Sequence, residues 1–141
     1  MTRLSEIMTA EPAYLTEGET VRRAAELMAD LDVGELPICD GRRLVGVITD
    51  RDITVRCTAR GVAPDTASVN DAMSERPIWC YDDDTVETAK GLMESEQVRR
   101  VLVLDRNKQL VGVVSLGDIA AKAGAAGNTL AEVSQSSQPA R

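Results

Sequence analysis

Leu44-Val45-Gly46-Val47-Ile48-Thr49-Asp50-Arg51-Asp52-Ile53 returns later in the chain as Leu110-Val111-Gly112-Val113-Val114-Ser115-Leu116-Gly117-Asp118-Ile119. Each copy is an apolar run broken by one glycine, then a hydroxyl residue, two variable positions, an aspartate and an isoleucine. The apolar run suits a buried strand, and a hydroxyl with a carboxylate three residues later suits a helix start. Each copy therefore reads as a strand running into the N-terminus of a helix. Free backbone N–H groups point outward at such a place and favour an anion.

The repetition extends upstream. Met8-Thr9 recurs as Met73-Ser74, Pro12 as Pro77, Thr20-Val21 as Thr85-Val86, Ala24 as Ala89, Leu27-Met28 as Leu92-Met93 and Val33 as Val98, all at an offset of 65. Beyond Asp40 and Asp105 the offset becomes 66, so the second hairpin loop, Arg106-Asn107-Lys108-Gln109, carries one extra residue. A duplicated half-chain is the primary feature of the sequence.

Within the first half, Val21, Ala24, Ala25, Met28 and Leu31 share one face of an amphipathic helix that begins after Thr20 and ends near Gly34. Residues 36–39 read as a strand. Pro37 has no amide hydrogen, which places that strand at a sheet edge or where the ladder is broken. Asp40-Gly41 signals a hairpin turn, residues 44–48 form its second arm, and a helix over 50–60 closes at Gly61. Residues 3–9 suit one helical turn with Leu4, Ile7 and Met8 on a face, broken by Pro12, and Ala13-Tyr14-Leu15 is a short extended piece. The order is strand, helix, strand, strand, helix, stated twice, with residues 62–68 as a linker. From Gly124 the chain is small and polar; residues 129–133 suit a short helix, and about the last eight residues read as disordered.

A chain of 141 residues can bury a core as one domain or as two small halves. Phe is absent and aromatics make up 2%, so the core is aliphatic and few rings are present to stack on bases. Sixteen basic against 23 acidic residues leave a net charge of −7, whereas a surface built for phosphate backbones carries a basic excess. Nucleic acid is therefore not the expected partner. No run approaches the ~20 apolar residues of a membrane span, and no apolar signal region follows the start of the sequence. A cytoplasmic location away from membranes is expected. The three cysteines, Cys39, Cys57 and Cys80, are widely spaced and histidine is absent, so zinc sites and Cys–His catalysis lack their usual parts. The thiols read as small buried hydrophobes.

Thr49-x-x-Asp52 and Ser115-x-x-Asp118 are the candidates for ligand binding. Helix capping alone would account for each. Three features point further: the duplication, the glycines Gly46 and Gly112 that permit close backbone approach, and Arg51, which can meet a phosphate. A nucleoside monophosphate suits these parts. The hydroxyl and helix amides take the phosphate, and the aspartate accepts from both ribose hydroxyls. The second motif has Leu116-Gly117 in place of Asp50-Arg51, so two unequal sites are expected, the Arg51 side better equipped. Arg99 and Arg100 either compensate in the second or lie solvated at a helix C-terminus. Asp82-Asp83-Asp84 reads as a complement to a helix N-terminus rather than a metal site. Met8, Met28, Met73 and Met93 are core or dimer seam. Trp79 and Tyr81 either pack or stack on adenine.

With these residues in view, the chain resembles a tandem pair of CBS (cystathionine-β-synthase) domains, a Bateman module of the stand-alone two-CBS type. The resemblance is carried by the doubled G-h-h-S/T-x-x-D-I core, by the lead-ins Gly34-Glu35-Leu36-Pro37-Ile38 and Val98-Arg99-Arg100-Val101-Leu102-Val103, and by the Met-Thr/Ser-x-x-Pro openings. It covers about residues 3–123. It implies a mixed α/β fold of two pseudo-symmetric β-α-β-β-α repeats packed sheet to sheet, residues 1–63 with the start of the linker and residues 64–123, with 124–141 as a tail. It also implies a homodimer, an unidentified protein partner, and AMP, ADP, ATP or S-adenosylmethionine as a regulatory ligand in clefts between the repeats. By this resemblance Thr49, Arg51 and Asp52 hold phosphate and ribose at one site, and Ser115 and Asp118, with Arg99 and Arg100, at the other. Backbone around Ala13, Pro37 and Ile38, and around Ile78, Val101 and Val103, clasps the adenine. The implied function is a regulatory sensor; the alternative is a stress-response structural or interaction module whose clefts are vestigial. Neither a catalytic residue nor a metal site is expected, since no His is present as a general base and no hydroxyl nucleophile has a visible base partner.

Overall fold

The computed structural model describes residues 2–123. The small, polar stretch from Gly124, with its expected short helix and disordered end, lies outside the described residues. Packing divides the chain into two compact units, one of residues 13–77 and one that joins residues 2–12 to 78–123.

The chain opens with a 3-10 turn, Leu4–Glu6, and strand β1 (Thr9–Ala10). The 13–77 unit then holds β2 (Leu15–Thr16), α1 (Val21–Leu31), β3 (Glu35–Asp40), β4 (Arg43–Thr49), α2 (Asp50–Ile53) and α3 (Val69–Ala72). The other unit holds β5 (Trp79–Tyr81), α4 (Val86–Glu96), β6 (Arg100–Leu104), β7 (Leu110–Ser115) and α5 (Leu116–Asp118). Both short helices, α2 and α5, continue as π-helical turns, over Thr54–Thr58 and Ile119–Ala123. The order is the expected β-α-β-β-α, twice, in a mixed α/β fold.

The long helices start where the sequence supplies a cap. Thr20 Oγ1 accepts from the Arg23 N–H at 3.1 Å, and Thr85 Oγ1 from the Thr88 N–H at 3.3 Å. Both end in a left-handed residue that is not glycine, Asp32 (φ 55°) and Gln97 (φ 57°). The first helix therefore stops short of Gly34, and Leu31, expected on its apolar face, is 44% exposed. Ala25, also expected there, is exposed, while Val21, Ala24 and Met28 are buried as read. Val21, Ala24 and Met28 pack with Leu15, Leu36, Ile38 and Ile48, while Val86, Ala89 and Met93 pack with Val101, Val103 and Val114.

The sheets run β2-β3-β4 and β1-β7-β6-β5. Strand β3 is central, so Pro37 does not mark an edge; it marks a break in the ladder. Its partner Val47 exchanges both backbone hydrogen bonds with Ser74 (3.0 and 2.8 Å), not with β3. The missing proline N–H therefore faces the β2 side, where pairing begins only at Ile38.

The opening of each sequence repeat packs on the strands of the other. Strand β1 pairs antiparallel with β7, Thr9 opposite Val113 and Ala10 opposite Gly112. Ser74 takes the same place against Val47 of β4. The packing boundaries accordingly fall at Pro12 and Pro77. Residues 62–68 are folded into the 13–77 unit: the N–H groups of Val21 and Arg22 donate to the carbonyls of Ala67 (2.9 Å) and Pro64 (3.1 Å).

This crossing explains the glycine in each decapeptide. A Cβ at Gly46 would lie 2.7 Å from the Ser74 carbonyl oxygen and 2.8 Å from Met73 Sδ. At Gly112 it would collide with Met8 Sδ and lie 3.0 Å from the Thr9 carbonyl oxygen. The close approach anticipated from the sequence is made by the chain's own backbone. All three cysteines are buried and unpaired, and no helix among the described residues is long and apolar enough to cross a membrane.

Candidate functional site

The two repeated motifs form the same turn. Thr49 and Ser115 both sit at φ −112°, ψ 163°, extended residues that deliver a strand into a helix. Thr49 Oγ1 accepts from the Asp52 N–H at 3.0 Å, and Asp52 Oδ2 accepts from the Thr49 N–H at 2.9 Å. Ser115 and Asp118 repeat both bonds at 3.0 Å. Each motif is thus a reciprocal capping box. Capping engages one lone pair of the hydroxyl and one carboxylate oxygen. It leaves the hydroxyl's own hydrogen to donate and the second carboxylate oxygen to accept. Those are the groups a phosphate and a ribose need.

A cation one turn on fastens each site to the crossing segment. The Arg56 guanidinium donates to the carbonyls of Ala72 (3.3 Å) and Met73 (2.9 Å), and its Nε lies 4.0 Å from Asp52 Oδ1. Its counterpart Lys122 donates to the Ile7 carbonyl at 3.3 Å. Sequence reasoning passed over both. The signal was a basic residue four positions after each aspartate of the repeat.

The candidate residues gather by unit. Ala13, Pro37, Ile38, Thr49, Arg51 and Asp52 lie in the 13–77 unit, and Ile78, Arg99, Arg100, Val101, Val103, Ser115 and Asp118 in the other. Strand alternation sorts them further. Ile38, Val101 and Val103 are at most 1% exposed and point into the helix-side cores. Pro37 and its counterpart Leu102 share the opposite face with Thr49 and Ser115. Leu102 lies within the lead-in Val98-Arg99-Arg100-Val101-Leu102-Val103 and stands where the first repeat has Pro37. The two differ in backbone chemistry as well. The Leu102 N–H donates to the Ile78 carbonyl at 3.1 Å, a bond Pro37 cannot make to Ala13, the counterpart of Ile78.

Across the hairpins the sites diverge. Glu35 is directly opposite Thr49, and Arg100 is directly opposite Ser115. Arg100 is half-buried, and Arg99 beside it is exposed, its carbonyl accepting from the Leu116 N–H at 2.9 Å.

The other residues singled out make contacts within their own unit. Asp84 Oδ2 accepts from the Tyr81 N–H at 2.8 Å. Asp83 pairs with Arg106 through two bonds of 2.9 and 3.0 Å, and that partner holds its carboxyl below the usual range. Among the described residues no group of three or more Cys, Asp or Glu is placed to hold a metal. Trp79 meets Tyr81 edge to face at 4.9 Å. The lengthened loop lays Arg106 over Tyr81 (3.9 Å) and Lys108 near Trp79 (5.3 Å). An open hollow of about 310 Å³ lies between α1 and α2, lined by Met28, Val33, Asp50 and Ile53 among others, and reaches neither Thr49 nor Asp52.

Comparison with known proteins accords with this geometry. The model of the CBS domain matches residues 4–57 and again 69–124. Hypoxic response protein 1 of Mycobacterium tuberculosis is 38% identical over 121 residues, 85% of this chain and 84% of that one. A crystal structure of hypoxic response protein I with two coordinated zinc ions superposes with a TM-score of 0.77 at 37% identity, over 86% of this chain and 98% of that one. The CBS domain protein PAE2072 from Pyrobaculum aerophilum, complexed with AMP, superposes with a TM-score of 0.71 at 32% identity, over 83% and 89% of the two chains. A doubled strand-to-helix turn, a doubled family match and relatives aligned along most of their length agree: the chain belongs to the CBS-domain family, as a protein with two such domains.

Proposed function

We propose that this chain is a regulatory binding protein, not an enzyme, that takes an adenine nucleotide (AMP, ADP or ATP) or S-adenosylmethionine at the Thr49–Asp52 and Ser115–Asp118 turns. The observation that carries this reading is the duplicated turn itself, which twice leaves a hydroxyl hydrogen to donate and a carboxylate oxygen not used by the cap, the one on Asp52 with Arg56 beside it. The AMP complex of the Pyrobaculum relative supports it. In this reading Thr49 and Ser115 donate to phosphate, and Asp52 and Asp118 accept from ribose. Arg51, Arg99 and Arg100 supply charge, and backbone near Ala13 and Ile78 meets the base. The protein acts as a cytoplasmic homodimer. Ligand shifts it between conformations by differential affinity, and a protein partner reads the shift.

A second reading has a specific observation in its favour. The capping boxes already give each hydroxyl and carboxylate a structural task. The turns would then be vestigial and the protein a stress-response interaction module. Thermal unfolding separates the two. A ligand at about 100 times its Kd adds about 2.7 kcal/mol of apparent stability. The nucleotide reading expects a raised melting temperature with at least one of AMP, ADP, ATP or S-adenosylmethionine. Unchanged melting with all four at millimolar concentration favours the vestigial reading.

A further inference from the structure

We infer that the two turns select ligands by charge to different degrees. The Ser115–Asp118 turn takes the more highly phosphorylated adenine nucleotide, and the Thr49–Asp52 turn gains little from added phosphate charge. This rests on the nucleotide reading above and adds which phosphorylation state each turn prefers. Strand register sets which charge stands beside each hydroxyl. Residues directly opposite in an antiparallel pair lie on one face with Cβ atoms about 5 Å apart. Arg100 therefore stands beside Ser115, and Glu35 stands in the same place beside Thr49.

The neighbours amplify the contrast. Beside Thr49 the carboxylates of Glu35 and Asp52 offset the guanidiniums of Arg51 and Arg56, while Asp50 lines the hollow between α1 and α2. Arg56 is turned to the carbonyls of Ala72 and Met73, as Lys122 is to that of Ile7. Around Ser115 a single carboxylate, Asp118, accompanies three cations, Arg99, Arg100 and Lys122. Each further phosphate charge is thus attracted more strongly at the Ser115–Asp118 turn than at the Thr49–Asp52 turn. This reverses the order expected from Arg51 alone. At the opposite end, Pro37 leaves the Ala13 carbonyl without the backbone bond that Ile78 receives from Leu102. The 13–77 unit accordingly depends more on the base and less on the phosphate.

Titration calorimetry with adenosine, AMP and ATP tests this on two single-turn variants. Asp52→Asn and Asp118→Asn each keep an acceptor for the capping N–H while weakening one turn. In Asp52→Asn, affinity should rise from adenosine to ATP by about tenfold or more, and less so at high salt. Arg100→Glu in that background should flatten or reverse the rise, and Arg100→Lys should keep it. In Asp118→Asn, ATP should bind no better than adenosine. The same phosphate dependence in both single-turn variants overturns the inference, as does a rise unaffected by Arg100→Glu in a protein that still melts cooperatively. If the unsubstituted protein binds none of the three, the nucleotide reading itself fails, and this inference with it.

Discussion

The 13–77 unit and its twin share a backbone and differ in what that backbone presents. Their capping residues agree in φ and ψ, and their helices end on matching left-handed residues. Yet Glu35 stands where the other unit has Arg100, Pro37 where it has Leu102, and Arg56 where it has Lys122. Positions that cap or pack against the long helices are alike; positions on the other face of the hairpin, such as Glu35 and Pro37, are not. The fold thus holds two similar frames around two different chemical surfaces.

The crossing glycines break this comparison most sharply. Gly46→Ala sets a Cβ against a backbone carbonyl that cannot move aside, and should cost about 2–3 kcal/mol. Gly112→Ala presses on Met8 Sδ and Cγ and meets the Thr9 carbonyl only at 3.0 Å, and should cost somewhat less, about 1–2 kcal/mol. Urea denaturation measures both. Equal losses would mean that the two crossings are equally rigid.

Arg56 and Lys122 come next. Removing Arg56 frees two carbonyls and the neighbour of Asp52, so Arg56→Ala should cost about 1–2 kcal/mol. Lys122→Ala loses one longer bond and should cost about 0.5 kcal/mol. A greater loss for Lys122→Ala would contradict the assignment of Arg56 as the stronger fastening.

The smallest expected effect is alkaline. Burial pushes the thiols of Cys39 and Cys80 up to about 11 from an ordinary 9.0; nearby Asp84 adds to the rise at Cys80, and Arg42 opposes it at Cys39. A pKa raised by folding means the native state holds its proton longer. The stability this contributes is complete below pH 9 and is lost as pH rises towards 11. Cys39→Ser and Cys80→Ser should each make the melting temperature fall less steeply over that interval. An unchanged slope in both would show that folding does not raise the thiol pKa values.

The sequence discloses the frame more readily than the surfaces. Strands, helices and caps follow from period and from hydroxyls at fixed places, because those interactions are local. The exchange of Met8-Thr9 and Met73-Ser74 between repeats was not legible, since a repeat shows what recurs and not which copy packs on which. Pro37 left two placements open for a related reason. The lost N–H is visible in sequence, but only the three-strand order shows which neighbour it faces. The opposition of Glu35 and Arg100 depends on hairpin register, which fixes partners that sequence spacing leaves open.

A crystal grown with AMP tests the central claim most directly. The account predicts nucleotide density with its ribose on Asp52 or Asp118 and its phosphate at the hydroxyl of Thr49 or Ser115. Crystals from saturating AMP with both turns empty, or with the nucleotide bound elsewhere, would contradict it.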